Sequence, residues 1–460
     1  MDRWEDILKA ARAPADESYA ASVTNRMATS PEALTTRDNS IIGAWTALGV
    51  NAEHATNAMK RGSGAVAWLL KNGELPEPSQ TTSNGELPPP PLPSQTTSTS
   101  VLLDQIGNTP LLHLKKLSTF YGITLLGKAE FSNPGGSVKD RAALSLLNHF
   151  ETTKQLLPGG TVVEGTGGNT GVALAMLCAA RGYKCILTMP TTVAQEKIST
   201  MEAFGATVEL CATSHTVNEP GHYTQRAATI AASLPNAVHT NQFLNTANKQ
   251  AHETTTGPEI LRQALSVHDA LSGFACAAGT GGTIAGIASF LAAASPATTV
   301  TLVDCDGSSL GNYLTKGEFS KAPGDTLTEG IGIGRLTANF AAGRQHIHNS
   351  LPVTDSEAFK MAFALAQSEG VFVGPSAALN VAGAVKLGLY LKEQGNPNPV
   401  VATILCDSGS SYLSKCYSKQ WRTSNNIPEY SGNLADVLDP SPPPTPQAAA
   451  HLFASHTGGS

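Results

Sequence analysis

Between residues 101 and 420 the chain alternates short apolar runs with stretches whose apolar residues recur at helical spacing. The runs TVVEG from Thr161, KCILTMP from Lys184, TVEL from Thr207, TLVDCD from Thr301 and VATILCD from Val401 have the near-continuous hydrophobicity of strands buried on both faces. Alanine-rich segments such as TGVALAMLCAARG separate them and predict helices. Strands alternating with helices predict βαβ units around mostly parallel sheets, the α/β class. In such sheets ligands bind at the carboxyl ends of the strands, where glycine-rich turns open the next helices.

The flanks break this rhythm. NGELPEPSQTTS from Asn72 recurs as NGELPPPPLPSQTTS from Asn84. This Pro/Ser/Thr duplication cannot build a core, so residues 76–100 are predicted to be a linker. Residues 1–75 hold Trp4, Trp45 and Trp68, three of the four tryptophans, and Trp4, Ile7, Leu8 and Ala11 fall at helical spacing. A small helical extension is expected there, with no readable role. From 421 to 460 the chain turns to Asn, Pro and Ser and is expected to be a mobile tail.

Composition then excludes whole classes. A length of 460 residues allows more than one domain with ample core. A formal charge of −6 argues against a nucleic-acid binder, and no apolar run is long enough to span a membrane. The start, MDRWEDILKAAR, carries acids and lacks a signal-peptide core. Seven scattered cysteines with no CxxC pair fit free thiols better than disulfides or a zinc site, so no metal is expected. The expectation is a cytoplasmic enzyme.

Four turns carry candidate chemistry. Lys139 lies in SNPGGSVKDR, where small residues lead into a lysine; desolvated lysines form Schiff bases, and an Asn-Pro-Gly-Gly turn opening a helix reads the same way. Gly279-Thr280-Gly281-Gly282-Thr283 follows an apolar stretch and opens the helical IAGIASFLAAA, so its amides and hydroxyls suit a phosphate. It lacks the third glycine of a dinucleotide fingerprint and the lysine of a P-loop, and a structural tight turn remains the alternative. Thr166-Gly167-Gly168-Asn169-Thr170-Gly171 suits a carboxylate or phenolate oxygen, or simply caps a helix. Asp407-Ser408-Gly409-Ser410-Ser411 closes the last apolar run. A decoy, Gly307-Ser308-Ser309-Leu310-Gly311, matches a hydrolase elbow. Its available partners, His346 or His348 and Asp355, come in reversed order.

In chain order, IGNTPLL from Ile106, SNPGGSVKDRAA, EGTGGNTGVALA, NQFLNTAN, TTGPEI, GTGGTIAGI and CDSGSSYLS resemble the cysteine synthase and cystathionine β-synthase family of fold type II pyridoxal-phosphate enzymes, most closely cysteine synthase. The resemblance covers residues 101 to about 420. It implies a tryptophan synthase β-like fold of two open α/β domains with the cofactor in the cleft. The smaller domain would run from about 140 to 245, and the larger would combine 101–139 with 246–420. Lys139 would hold pyridoxal 5′-phosphate as a Schiff base and later move the Cα proton. Asn169 would bind the phenolic oxygen, Gly279, Thr280, Gly281, Gly282 and Thr283 the phosphate, and Ser408 would face the pyridine nitrogen. Thr166, Gly168, Thr170 and Gln242 would bind the amino-acid carboxylate.

The implied reaction is β-replacement on an activated serine through an aminoacrylate, with a sulfur nucleophile such as sulfide giving cysteine, in a homodimer. Another nucleophile, or dehydratase-type elimination, is the alternative. Two features depart from the family pattern: Gly165 and Gly167 stand where Pro and Ser are usual, and losing the serine hydroxyl is expected to remove a donor near the substrate and widen the site. Arg335 stands near the substrate mouth, where it binds an extra anionic group or forms a structural ion pair.

Overall fold

The computed structural model describes residues 102–215 and 218–439. The expected extension over 1–75 and linker over 76–100 lie outside the described residues, as does the chain from 440 to 460. Among the described residues ten strands form two sheets: β1 (Leu111–His113), β2 (Thr124–Ala129), β3 (Thr161–Gly165), β4 (Lys184–Pro190), β5 (Thr207–Cys211), β6 (Ala237–His239), β7 (Gly273–Ala277), β8 (Thr299–Asp304), β9 (Asn349–Pro352) and β10 (Val400–Leu405). The smaller sheet has order β5-β4-β3-β6 and is parallel throughout. The larger has order β1-β2-β10-β7-β8-β9, with β1 antiparallel to β2 and the rest parallel. Every residue of β3, β7 and β10 is buried, as parallel strands covered by helices on both faces must be.

Helices then aim specific residues at the strand ends. α1 (Lys139–Thr152) follows the SNPGGSV turn, and α2 (Asn169–Arg181) follows β3. α3 (Gln195–Ala203) and α4 (Tyr223–Ser233) flank the smaller sheet, and α5 (Gly282–Ala294) follows β7. α6 (Pro375–Glu393) begins with a proline at its first turn, a position whose missing N–H would be unpaired anyway. Its Asn380 is buried among apolar neighbours. The β10–β7 register ends at Thr403 and Ala275, and beyond it Asn380 takes over. Its Oδ1 accepts from Ala277 N–H at 2.7 Å and its Nδ2 donates to Ile404 C=O at 2.9 Å. The two strands therefore part at their carboxyl ends without leaving these groups unpaired, which opens a cavity there.

A buried ionic network ties the expected motifs together. The Arg141 guanidinium grips Glu130 through Nε (2.7 Å) and Nη2 (2.9 Å), and Glu259 through Nη1 and Nη2, both at 2.7 Å. Lys128 Nζ reaches Glu259 at 2.7 Å and the Thr109 carbonyl at 2.5 Å. Asn133 Nδ2 donates to Glu130 Oε2 at 2.8 Å while its Oδ1 accepts from Gly107 N–H at 2.9 Å. Two cations thus meet two carboxylates inside the protein, and IGNTP, SNPGGSVKDR and TTGPEI are joined.

Residues 421–439 are not a mobile tail. Trp421 packs edge-on to Phe359 with ring centroids 5.8 Å apart, Val437 is fully buried, and Tyr121 Oη donates to Leu434 C=O at 3.0 Å. Their apolar residues are isolated among polar ones, so no periodicity announced the packing. The hydrolase-elbow pattern is also set aside. Asp355 accepts from Thr326 Oγ1, Leu327 N–H and Thr328 Oγ1, and His348 Nδ1 accepts from Val300 N–H, so neither is directed at a serine.

Candidate active site

A cavity of about 600 Å³ lies at the strand ends between the two sheets. Its wall includes Lys139, the Thr166–Thr170 turn, Gln242, and Gly279, Thr280, Gly281 and Thr283. Sequence-distant turns are thus brought to one place.

Lys139 is the first residue of α1. The preceding turn is fastened on both sides: Val138 N–H donates to Cys406 C=O at 2.9 Å, and Asp140 Oδ2 accepts from Gly135 N–H at 2.5 Å. Burial pushes the Asp140 carboxyl up to about 7, opposed by that amide and the Arg141 charge. The Lys139 ammonium itself makes no hydrogen bond or ion pair with any described residue. An amine in a cavity with no carboxylate partner is available to a ligand.

The Gly279–Thr283 turn forms a cup of amides and hydroxyls suited to an anion. Gly281 has φ +80°, and a Cβ there would lie 2.5 Å from Phe340 Cβ. Thr280 Oγ1 accepts from Asn248 Nδ2 at 2.9 Å, which leaves its own proton to donate into the cavity. Thr283 Oγ1 meets His252 Nε2 at 3.2 Å, and burial holds His252 well below its usual range. The cup opens α5, thirteen residues long, so helix-start amides add to the donors. Gly281→Ala is expected to weaken pyridoxal phosphate uptake by about a hundredfold through backbone strain. Reconstitution of the apoprotein followed by visible absorption would measure it; unchanged uptake would rule the cup out.

Opposite the cup, Thr170 Oγ1 donates to Gln242 Oε1 at 2.7 Å, and Gln242 N–H donates to Glu164 Oε2 at 3.1 Å. Glu164 is buried, and burial pushes its carboxyl up to about 7 against hydrogen bonds from Thr240, Gln242 and Gly165. The Gln242 carbonyl accepts from Asn248 Nδ2 at 2.9 Å, so one asparagine braces both this corner and the cup.

Several expected residues sit differently. Ser408 is not in the cavity wall; its Oγ accepts from Ser410 N–H at 3.3 Å and caps a short helical turn. Ser376, at the start of α6, lines the wall instead, beside Asn380 and Cys406. The run VFVGPSAALN, with an N-terminal helix proline followed by serine, was the one signal that could have found it. Gly282 also lies outside the wall, and serves as the first residue of α5.

The glycine departures do not simply widen the site. A Cβ at Gly167 would lie 2.6 Å from Val193 Cγ2, so valine already occupies that space. A Cβ at Gly165 would lie 2.7 Å from Thr224 Cα, so its absence admits the start of α4 and brings Tyr223 into the wall.

Arg335 lies outside the wall and has no ion pair with a described residue. Its guanidinium stacks 4.3 Å from the ring centroid of Phe243, a wall residue. Its charge adds to burial in holding His222 below the usual histidine range. On the far wall Lys197 donates to Glu329 Oε2 at 2.7 Å and Lys415 pairs with the other oxygen. Burial would raise the Glu329 carboxyl, and the two lysines hold it low.

The residues present fit pyridoxal phosphate. An anion cup whose glycine a Cβ would crowd, an unpaired amine, an amide and a serine hydroxyl surround one cavity. Comparisons with known proteins agree. A family profile described as "Pyridoxal-phosphate dependent enzyme" matches residues 102–407. Cysteine synthase 1 of Emericella nidulans is 43% identical over 71% of this chain and 86% of its own length. Cysteine synthase 1 of Neurospora crassa is 41% identical over 71% and 85%. Among solved structures, the crystal structure of O-ureido-L-serine synthase superposes with a TM-score of 0.61 and 32% identity, covering 68% of this chain and 93% of that one.

Proposed function

The chain belongs to the pyridoxal-phosphate dependent enzyme family that includes the fungal cysteine synthases, and from that premise we propose that it replaces the β-substituent of an activated serine, with sulfide as nucleophile, to make cysteine. The observation that carries this reading is that Lys139, whose side chain has no hydrogen bond or ion pair with a described residue, shares one cavity wall with the Gly279–Thr283 and Thr166–Thr170 turns.

When bound, pyridoxal phosphate supplies an electron sink conjugated to the amino-acid Cα. The protein supplies the rest. The cup amides and the Thr280 hydroxyl would hold the phosphate, and Asn169 would serve the phenolic oxygen. Ser376 would supply a neutral hydroxyl to the ring nitrogen, where a carboxylate would favour its protonation. Thr166, Gly168, Thr170 and Gln242 bind the carboxylate of the donor, which sets its Cα beside Lys139 Nζ. Lys139, as the neutral amine, removes the Cα proton, the β-substituent leaves with its bonding pair, and once sulfide has added at Cβ Lys139 returns the proton to Cα. Fixing both ends of the donor reduces the reaction at Cα to a proton transfer over a short, preset distance.

Arg335 reads an anionic group on the donor or the nucleophile. Arg335→Ala is expected to raise the KM for O-phosphoserine about tenfold and leave that for O-acetylserine unchanged. Equal effects on both donors would remove Arg335 from donor recognition. A homodimer is part of the same proposal, checked by light scattering.

The direct experiment adds O-acetylserine, O-phosphoserine or serine to the holoenzyme, follows its visible spectrum, and then adds sulfide and assays cysteine. A spectrum that none of the three donors changes would sink the reading. The O-ureido-L-serine synthase neighbour favours one second reading, a nitrogen or oxygen nucleophile in place of sulfide. A nucleophile panel, scored by product, separates the two.

A further inference from the structure

Asp407 follows β10 and is 2% exposed. Its Oδ2 accepts from Asn169 Nδ2 and from Tyr412 Oη, each at 2.7 Å. Its Oδ1 has no hydrogen-bond partner among the described residues. The backbone of the same residue pairs with Ser137, two positions before Lys139, and its carbonyl accepts from Gly374 N–H at 3.1 Å. Asp407 therefore joins the Lys139 turn, the Asn169 turn of the other sheet and the start of α6 that carries Ser376.

The side-chain contact has a directional consequence. A primary amide can present either an N–H or a carbonyl to a neighbour, and the two ends are nearly equal in shape. A carboxylate oxygen only accepts, so contact with Asp407 Oδ2 places the Asn169 nitrogen on that side. That nitrogen keeps a second N–H. Without the acceptor the amide can flip and offer a carbonyl to whatever oxygen lies in the cavity, a repulsive contact for an anionic ligand. Burial pushes the Asp407 carboxyl up, opposed by the hydrogen bonds from Tyr412 and Asn169 and by the Lys197 and Lys139 charges. A proton taken up on the unpartnered Oδ1 would leave Oδ2 an acceptor all the same.

We propose that Asp407 is a positioning residue that fixes the Asn169 amide with its N–H toward an oxygen of the bound cofactor. This rests on the reading that pyridoxal phosphate occupies the cavity. The sequence offers no hint of the role, because Asn169 and Asp407 are 238 positions apart.

A double-mutant cycle tests it, with cofactor dissociation constant and visible absorption maximum as readouts. Asn169→Ala and Asp407→Ala should each weaken cofactor binding about tenfold and shift the maximum alike. The double variant should match Asn169→Ala alone, because in the proposal the Asp407 side chain acts on the ring through the Asn169 amide. Asp407→Leu, which restores volume, serves if the alanine variant does not fold. Tyr412→Phe removes the other bond to the same oxygen and should leave the maximum unchanged. An unshifted spectrum in the Asp407 variants, or losses that multiply to about a hundredfold in the double, would overturn the proposal. A wild-type chain that takes up no cofactor would instead defeat the family reading, before any variant is compared.

Discussion

Lys139→Ala is expected to lower turnover at least about 10³-fold and to abolish covalent retention of the cofactor after borohydride reduction. The amine is both the attachment point and the proton carrier, and no described neighbour offers a substitute. Lys197, also in the wall, is held by Glu329 and lies 4.7 Å from the Tyr412 ring centroid. Non-covalent uptake should survive, because the cup does not depend on the lysine. An alanine variant that still retained cofactor after reduction would place the attachment elsewhere. Added methylamine is the natural rescue, since it restores an amine without restoring the tether.

Arg141→Met is expected to destabilise the fold by about 3–5 kcal/mol, because it leaves the buried carboxylates of Glu130 and Glu259 without their main partner. Thermal melting should show a drop of several degrees or more. The pH dependence gives the claim its sign. Arg141 and Lys128, against the burial penalty, hold the Glu259 carboxyl down to about 2, below its usual 4.5. Its stabilisation is complete above about pH 4.5 and is lost as pH falls towards 2. In the variant the orphaned carboxylates can relieve their burial by taking up protons, so the deficit should be smaller at pH 5 than at pH 8. A deficit independent of pH would mean that lost packing dominates. Asp140 and Glu164 act in the opposite sense in both proteins. Carboxyls raised to about 7 cost stability as pH rises from about 4 through 7.

The sequence motifs fall into two groups according to what the structure makes of them. Lys139, Asn169 and the glycine turns are local devices. A turn that ends a strand and opens a helix places its own amides and side chains at the strand's carboxyl end, so these residues could be read without knowing the fold. Other polar residues of the same motifs are something else. Arg141, Glu259 and Asn133 proved to be braces between motifs, a role visible only once the segments are folded together. Ser408 shows the limit of the local argument. It stands at a strand end in a serine-rich turn, yet that turn folds back to cap itself, and the hydroxyl in the wall comes from α6.

By itself, then, the sequence determined the class of fold and singled out the Lys139, Thr166–Thr170 and Gly279–Thr283 turns that line the cavity, because hydrophobic period and turn chemistry act over a few residues. Tertiary structure alone decided which serine enters the cavity, how Val193 and Tyr223 fill the space around Gly167 and Gly165, and that residues 421–439 are packed. It also decided that Asn380 parts β7 from β10 and that Asp407 holds Asn169. The physical reason is common to all of these. Each depends on contacts between segments far apart in the chain, and no local preference of either segment specifies its partner.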